Sequence, residues 1–168
     1  MFVARSTAKV RICAGLGTIG AAAAITLGAP AIASADPGPI GCSTPPGGAP
    51  MTAETDDSTC ATEAGESGAA AAYASVGEAA AVAQENAAAL ALAFDGGVAV
   101  TGAPAGTAPA AIAFGPDASA LALGSTPGLS IAIAAPGSLV SIGPDGAECV
   151  GMGFAGDLGT GQSCLQMH

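Results

Sequence analysis

From about Ala69 onward the chain repeats one short pattern: a bulky apolar residue, a small one, then often a second bulky one. Tyr73-Ala74-Ser75, Val82-Ala83-Gln84, Leu90-Ala91-Leu92 and Val98-Ala99-Val100 open the series. Ile112-Ala113-Phe114, Leu121-Ala122-Leu123, Ile131-Ala132-Ile133 and Val140-Ser141-Ile142 continue it, with Val150-Gly151-Met152 as a weaker last member. The units follow one another at steps of eight to ten residues, apart from one gap of 14 centred near Ala105. A period of two sends successive side chains to opposite faces, so each unit predicts a short strand. Between them stand "GPDAS", "STPG", "APGS" and "GPDG", where Pro presets φ and Gly or Asp accepts unusual backbone angles.

Two all-β architectures suit this spacing. In a β-solenoid of the β-roll kind, strands stack in parallel and each coil uses two of them. In an antiparallel β-meander the same turns close hairpins. Strands of three to five residues with Ala on the second face favour the solenoid, a narrow stack of coils. The bulky residues are then expected inside each coil, with a surface of Ala methyls outside. One segment competes locally. Glu78 to Phe94, "EAAAVAQENAAALALAF", has the Ala content of a helix and an acidic start, so a helix over 78–94 is the alternative there. Residues 36–50, "DPGPIGCSTPPGGAP", read as loop from their Pro and Gly content.

The N-terminus has a different character. Arg5, Lys9 and Arg11 precede an apolar run from Ile12 to Ala29, and Ala33-Ser34-Ala35 supplies a small-x-small cleavage motif. This is the layout of a signal peptide cut before Asp36. Four regions follow: a cleaved signal peptide at 1–35, a Pro/Gly-rich disulfide loop region at 36–68, the β-repeat at 69–148 and a C-terminal disulfide element at 149–168. No later stretch reads as a membrane span.

Cleavage would alter the charge balance. All three basic residues lie in the segment removed, which leaves a chain of 133 residues with 13 acidic side chains and no Lys or Arg. Such a surface repels phosphate backbones, so nucleic acid is excluded as a partner. Four cysteines remain: Cys42, Cys60, Cys149 and Cys164. An even number in an exported chain points to disulfides. Three pairings are open, and the local one, Cys42 with Cys60 and Cys149 with Cys164, places a small closed loop at each end of the repeat. Each loop of that size contributes about 3 kcal/mol through chain entropy.

Little in this inventory can do chemistry. The processed chain has one Tyr, Tyr73, no Trp, and a single His at the last position, His168. No internal His or Lys stands ready to activate a serine. Carboxylate pairs are the remaining option, from Asp56, Asp57, Asp95, Asp117 and Asp145, but a sugar cleft also needs aromatic platforms. The expectation is no enzyme, no catalytic residue, no cofactor and no metal site. The turn sequences around Asp95, Asp117 and Asp145 lack both the EF-hand spacing and a Gly-Gly-x-Gly-x-Asp repeat. Turn aspartates in solvent are expected instead.

Over roughly residues 73–143, "AIAFGPDASALALG" and its neighbours resemble the head repeats of trimeric autotransporter adhesins, a left-handed β-roll. The stalk and membrane barrel of those adhesins have no counterpart here, so their anchoring role does not transfer. The processed chain as a whole resembles a family of small exported actinobacterial proteins without established activity. Its marks are paired N-terminal cysteines, an Ala/Gly-rich repeat and a C-terminal C-x-G…TG-x-x-C element, matched by Cys149, Gly151, Thr160, Gly161 and Cys164. The resemblance implies fold and location and supplies no site residue.

Two function classes remain: a structural or cell-surface interaction module, secreted or held in the envelope, and an exported binder of a small ligand or divalent cation. The partner is unknown from sequence. A homo-oligomer is one expectation, a trimer by likeness to the adhesin heads, with Ala113, Ala122 and Ala132 at the contact. Export carries its own test. Intact mass spectrometry of the secreted protein is expected to show a chain beginning at Asp36, and a full-length cell-bound species contradicts the cleavage.

Overall fold

The structure is a computed structural model that describes residues 38–168. The signal-peptide reading of residues 1–35 and the cleavage before Asp36 lie outside the described residues. The order of elements is β1 (Ile40–Thr44), β2 (Met51–Glu54), β3 (Ser58–Ala64), β4 (Ala69–Ser75), β5 (Gly77–Ala83), β6 (Ala88–Phe94) and β7 (Val98–Ala103). It continues as β8 (Thr107–Phe114), β9 (Ser119–Leu123), β10 (Gly128–Ala134), β11 (Leu139–Gly143), β12 (Gly146–Val150), β13 (Gly153–Asp157) and β14 (Ser163–Gln166). No helix occurs among the described residues.

Successive strands alternate between two seven-stranded sheets. The first runs β1-β4-β6-β8-β10-β13-β14 and the second β12-β11-β9-β7-β5-β3-β2. The interior of each stack is parallel: β4, β6, β8 and β10 in the first sheet, and β3, β5, β7, β9 and β11 in the second. Register partners lie one coil apart in sequence. Ala69 faces Ala88, and Val98 faces Ser119. Each step of eight to ten residues is therefore half a coil. The chain is a β-solenoid, as the spacing of the units predicts, and the meander is confined to its ends. There β1 and β2 pair antiparallel with β4 and β3, while β12, β13 and β14 return antiparallel at the other end.

The faces are reversed from the expected arrangement. Side chains between the sheets are mostly methyls: Ala72, Ala91, Ala111 and Ala132 form one column of the first sheet, and all are buried. Ala113, Ala122 and Ala132, expected at a contact between subunits, are each 0 % exposed inside the coil. The bulky partners of the same strands point outward, and Val82, Leu90, Phe114 and Leu123 are exposed. The trimer expected through an Ala surface loses its contact.

The disulfides show why. Cys42 on β1 joins Cys60 on β3, and Cys149 on β12 joins Cys164 on β14, so both bonds cross from one sheet to the other. Their Cα atoms are 5.8 and 5.9 Å apart. Ordinary stacked sheets pack at about 10 Å, a spacing that leaves room for Leu and Ile. At both ends these sheets stand closer than that, and in the coils between them methyls fill most of the gap. Approach is closest at glycines. A Cβ on Gly97 would lie 2.9 Å from the Cβ of Ala113, and one on Gly153 would strike the Val140 side chain and lie 2.6 Å from the carbonyl oxygen of Ile133. The largest interior groups, Val140 and Ile142, lie on β11 in the last coil, with Gly153 making room for Val140; Thr101 on β7 and Pro109 on β8 are the bulkiest in the coils before it.

Two further expectations change, and a turn occupies the gap near Ala105. The 78–94 segment is strand–turn–strand, β5 and β6 around Gln84 to Ala87, because register with neighbouring coils outweighs the intrinsic preference of Ala for helix. Residues 36–50 are not all loop: β1 occupies Ile40–Thr44, with Cys42 and Thr44 buried. Thr44 is held by its hydroxyl at 2.8 Å from that of Thr62. The gap near Ala105 is a turn followed by the first half of β8, where outward Ala108 and Ala110 stand in place of a bulky residue.

An inward methyl and an outward Leu on the same strand give a direct test. Ala122→Leu overfills the gap and is expected to cost about 1–3 kcal/mol or more. Leu121→Ala, one residue away on the outer face, is expected to cost under about 1 kcal/mol, within the range of ordinary surface changes. Urea midpoints of the two variants, disulfides intact, check the order. The opposite order contradicts the reversal of faces.

Candidate functional site

The two outer faces differ in charge. Strands β4, β6, β8 and β10 read AAAAYAS, AALALAF, TAPAAIAF and GLSIAIA, without a single ionisable acid or base other than Tyr73. The only carboxylate in the first sheet is Asp157 at the end of β13, and it is buried. The second sheet carries Glu54, Glu63, Glu78 and Glu148 on its strands. The remaining acids of the described residues sit in turns.

Parallel register makes this uncharged face continuous. Tyr73, Leu92, Ile112 and Ile133 are successive partners across β4, β6, β8 and β10, and antiparallel pairing carries the row on to Phe154 and Leu165. Beside it runs an aromatic ladder. Phe94 and Phe114 stack with centroids 5.3 Å apart and planes 10° from parallel, and Tyr73 leans on Phe94 at 5.7 Å and 46°. Such pairs add about 0.5–1.5 kcal/mol beyond burial. Past Phe114 the surface sinks into an open apolar depression of about 330 Å³, lined by Ile133, Met152, Phe154, Leu165 and Met167.

Asp157 organises the end of this face. Its Oδ1 accepts from the backbone N–H groups of Gly159 (2.7 Å) and Thr160 (2.9 Å), and its Oδ2 from the Ser130 hydroxyl (3.0 Å). The Thr160 N–H is the main influence holding its pKa below the ordinary carboxylate value; burial opposes it, and Ser130 and Gly159 assist. The C-terminal element now has a structural meaning. Gly151 and Gly161 take positive φ at 82° and 72°, Thr160 binds Asp157, and Cys149 and Cys164 tie the sheets together. The Thr126 hydroxyl also donates to Oδ1 at 3.5 Å, so four donors converge on the carboxylate.

The candidate acids are not brought together. Asp56 and Asp57 lie between β2 and β3, Asp95 after β6, Asp117 after β8 and Asp145 between β11 and β12, all exposed. Among the described residues no group of three or more His, Cys, Asp or Glu is placed to hold a metal ion. His168 is exposed at the last position. No helix among the described residues is long and apolar enough to cross a membrane.

Sequence reasoning missed the uncharged face because it placed the bulky residues inside. A signal was present: Glu occurs at 63, 78 and 148, in strands of one sheet, and never within 69–75, 88–94, 107–114 or 128–134. Every glutamate carried on a strand falls in the second sheet, on β2, β3, β5 and β12, while β7, β9 and β11 of that sheet are uncharged.

Fold and surface define a β-solenoid with its two sheets joined by a disulfide near each end and one outer face free of charge. The chain belongs to a family of unknown function, DUF6764, whose model matches residues 4–167. Comparison with curated proteins and with solved structures returns no match.

The depressed pKa of Asp157 makes a pH prediction. Its stabilising effect is full above the unfolded carboxylate value, about 3.9, and is lost as pH falls through the lower folded value. Asp157→Ala is expected to cost about 1–2 kcal/mol at neutral pH. The difference from the parent protein is expected to shrink as the pH falls below about 4. Thermal melts of both proteins from pH 7 down to pH 2 check this, and a gap that widens in acid contradicts it.

Proposed function

We propose that this protein is an exported, non-enzymatic interaction module: a rigid β-solenoid that offers the outer face of its first sheet to a partner. The observation that carries the reading is the segregation of charge. Every exposed carboxylate of the described residues is on the second sheet or in a turn, while Tyr73, Leu92, Phe94, Ile112 and Phe114 share a surface without one. Contiguous apolar area of this kind marks interaction surfaces. Disulfides suit an oxidising, extracytoplasmic location. The described residues hold no Lys or Arg and a single exposed His, an inventory that suits recognition better than catalysis.

Site-specific photocross-linking in the producing cell tests the reading. A photoreactive phenylalanine analogue at position 94, on the first sheet, is expected to form adducts with another polypeptide chain. The same probe at position 100, on the outer face of the second sheet, is expected to stay largely unreacted. Equal yields from both positions, or none from either, contradict the assignment of the face.

A further inference from the structure

The outer face of the first sheet is close in size to one side of a stable interface. With strands about 4.8 Å apart and about 3.3 Å per residue, its strands cover roughly 700 Å². Each partner in a standard stable interface contributes about 800 Å². A small ligand would leave most of this face wet. A flat partner of matching size would cover it.

Its relief is self-complementary. The aromatic ladder of Tyr73, Phe94 and Phe114 stands at the end nearer β4, and the apolar depression lined by Ile133, Phe154 and Leu165 lies at the end nearer β14. We propose, resting on the interaction-face reading above, that the occupant is a second copy of this chain. The two first sheets pack face to face about a two-fold axis that lies between them and runs along the strands near β8. That axis reverses the order of coils. It brings the aromatic ladder of one copy over the depression of the other, the same contact twice, as an isologous dimer requires. Strand directions stay aligned, the usual geometry of two packed sheets.

Charge selects the same partner. A basic partner would be drawn to the carboxylates of the second sheet and the turns rather than to this face. An acidic lipid surface would be repelled by them. A second copy brings an equally uncharged surface to the centre and leaves its carboxylates at the rim, where salt at physiological strength screens them beyond about 8 Å. Association through this face therefore tightens as salt is raised, the reverse of an ion-paired interface.

Sedimentation equilibrium provides the test, on the chain expressed in full in an exporting host and recovered with both disulfides formed. Twice the mass of one recovered chain is expected at tens of micromolar, with tighter association at higher salt. Phe114→Glu, at a residue 45 % exposed where ladder meets depression, is expected to weaken the dimer by roughly 30-fold or more, the loss of a central anchor. Leu139→Glu, 48 % exposed on the second sheet, is expected to leave it unchanged. Far-UV circular dichroism matching the parent shows that each variant is folded. A parent protein that is monomeric at all salt concentrations overturns the dimer, as does a folded Phe114→Glu protein that still dimerises, or a dimer weakened by salt. A monomer whose position-94 probe still captures a different protein overturns self-association alone. A silent probe at both positions overturns the interaction face itself.

Discussion

The distance between the two sheets governs this molecule. At the disulfides the paired Cα atoms are under 6 Å apart, far closer than sheets separated by large aliphatic side chains. A cystine bridge can cross such a gap and a pair of leucines cannot fit within it. Ala is the residue that fills the space without straining the coil, and it loses no rotamer freedom on burial. The apparently poor vocabulary of the repeat is the vocabulary of a narrow interior.

Other features follow from that width. Methyl burial contributes little per residue, so cohesion rests largely on register: long parallel ladders in both sheets, with columns of identical residues in successive coils. The ends are where such a stack is open to further pairing. Antiparallel strands terminate the parallel order at both ends, and a disulfide near each end holds the two sheets together. At the C-terminal end, Asp157 gathers two backbone N–H groups and a buried hydroxyl, fixing the β13–β14 turn beside Cys164. The buried polar groups are few and each has its partner: no side-chain nitrogen or oxygen is buried without one among the described residues.

A core that refuses large side chains sends them outside. On the second sheet glutamates on β2, β3, β5 and β12 flank them at both ends. On the first sheet they stand together, and parallel register aligns them into rows that no single strand possesses. The uncharged face is thus a by-product of a thin core, set apart by where charge is withheld. Sheet-on-sheet packing through Leu, Ile and Phe, which the chain cannot build within its own coils, is available to it across that face.

Much of this was legible in the sequence. Period-two units at half-coil spacing, punctuated by Pro, Gly and Asp, determined short strands and a solenoid, because turn chemistry and alternation are local properties. Four cysteines bracketing the repeat pointed to disulfides near both ends. The scarcity of His, Lys and Arg bounded the chemistry. Tertiary structure alone decided which face was inside. Alternation is symmetric: Leu90-Ala91-Leu92 reads equally well with either residue buried, and the usual preference for burying the larger one gives the wrong answer here. The spacing between sheets breaks that symmetry, and it arises from turns, close glycine contacts and cross-sheet disulfides separated along the chain. The same long-range register overrode the helical preference of Ala at 78–94, drew Ile40–Thr44 out of a loop composition, and assembled Tyr73, Leu92, Ile112 and Ile133, each about 20 residues from the next, into one surface.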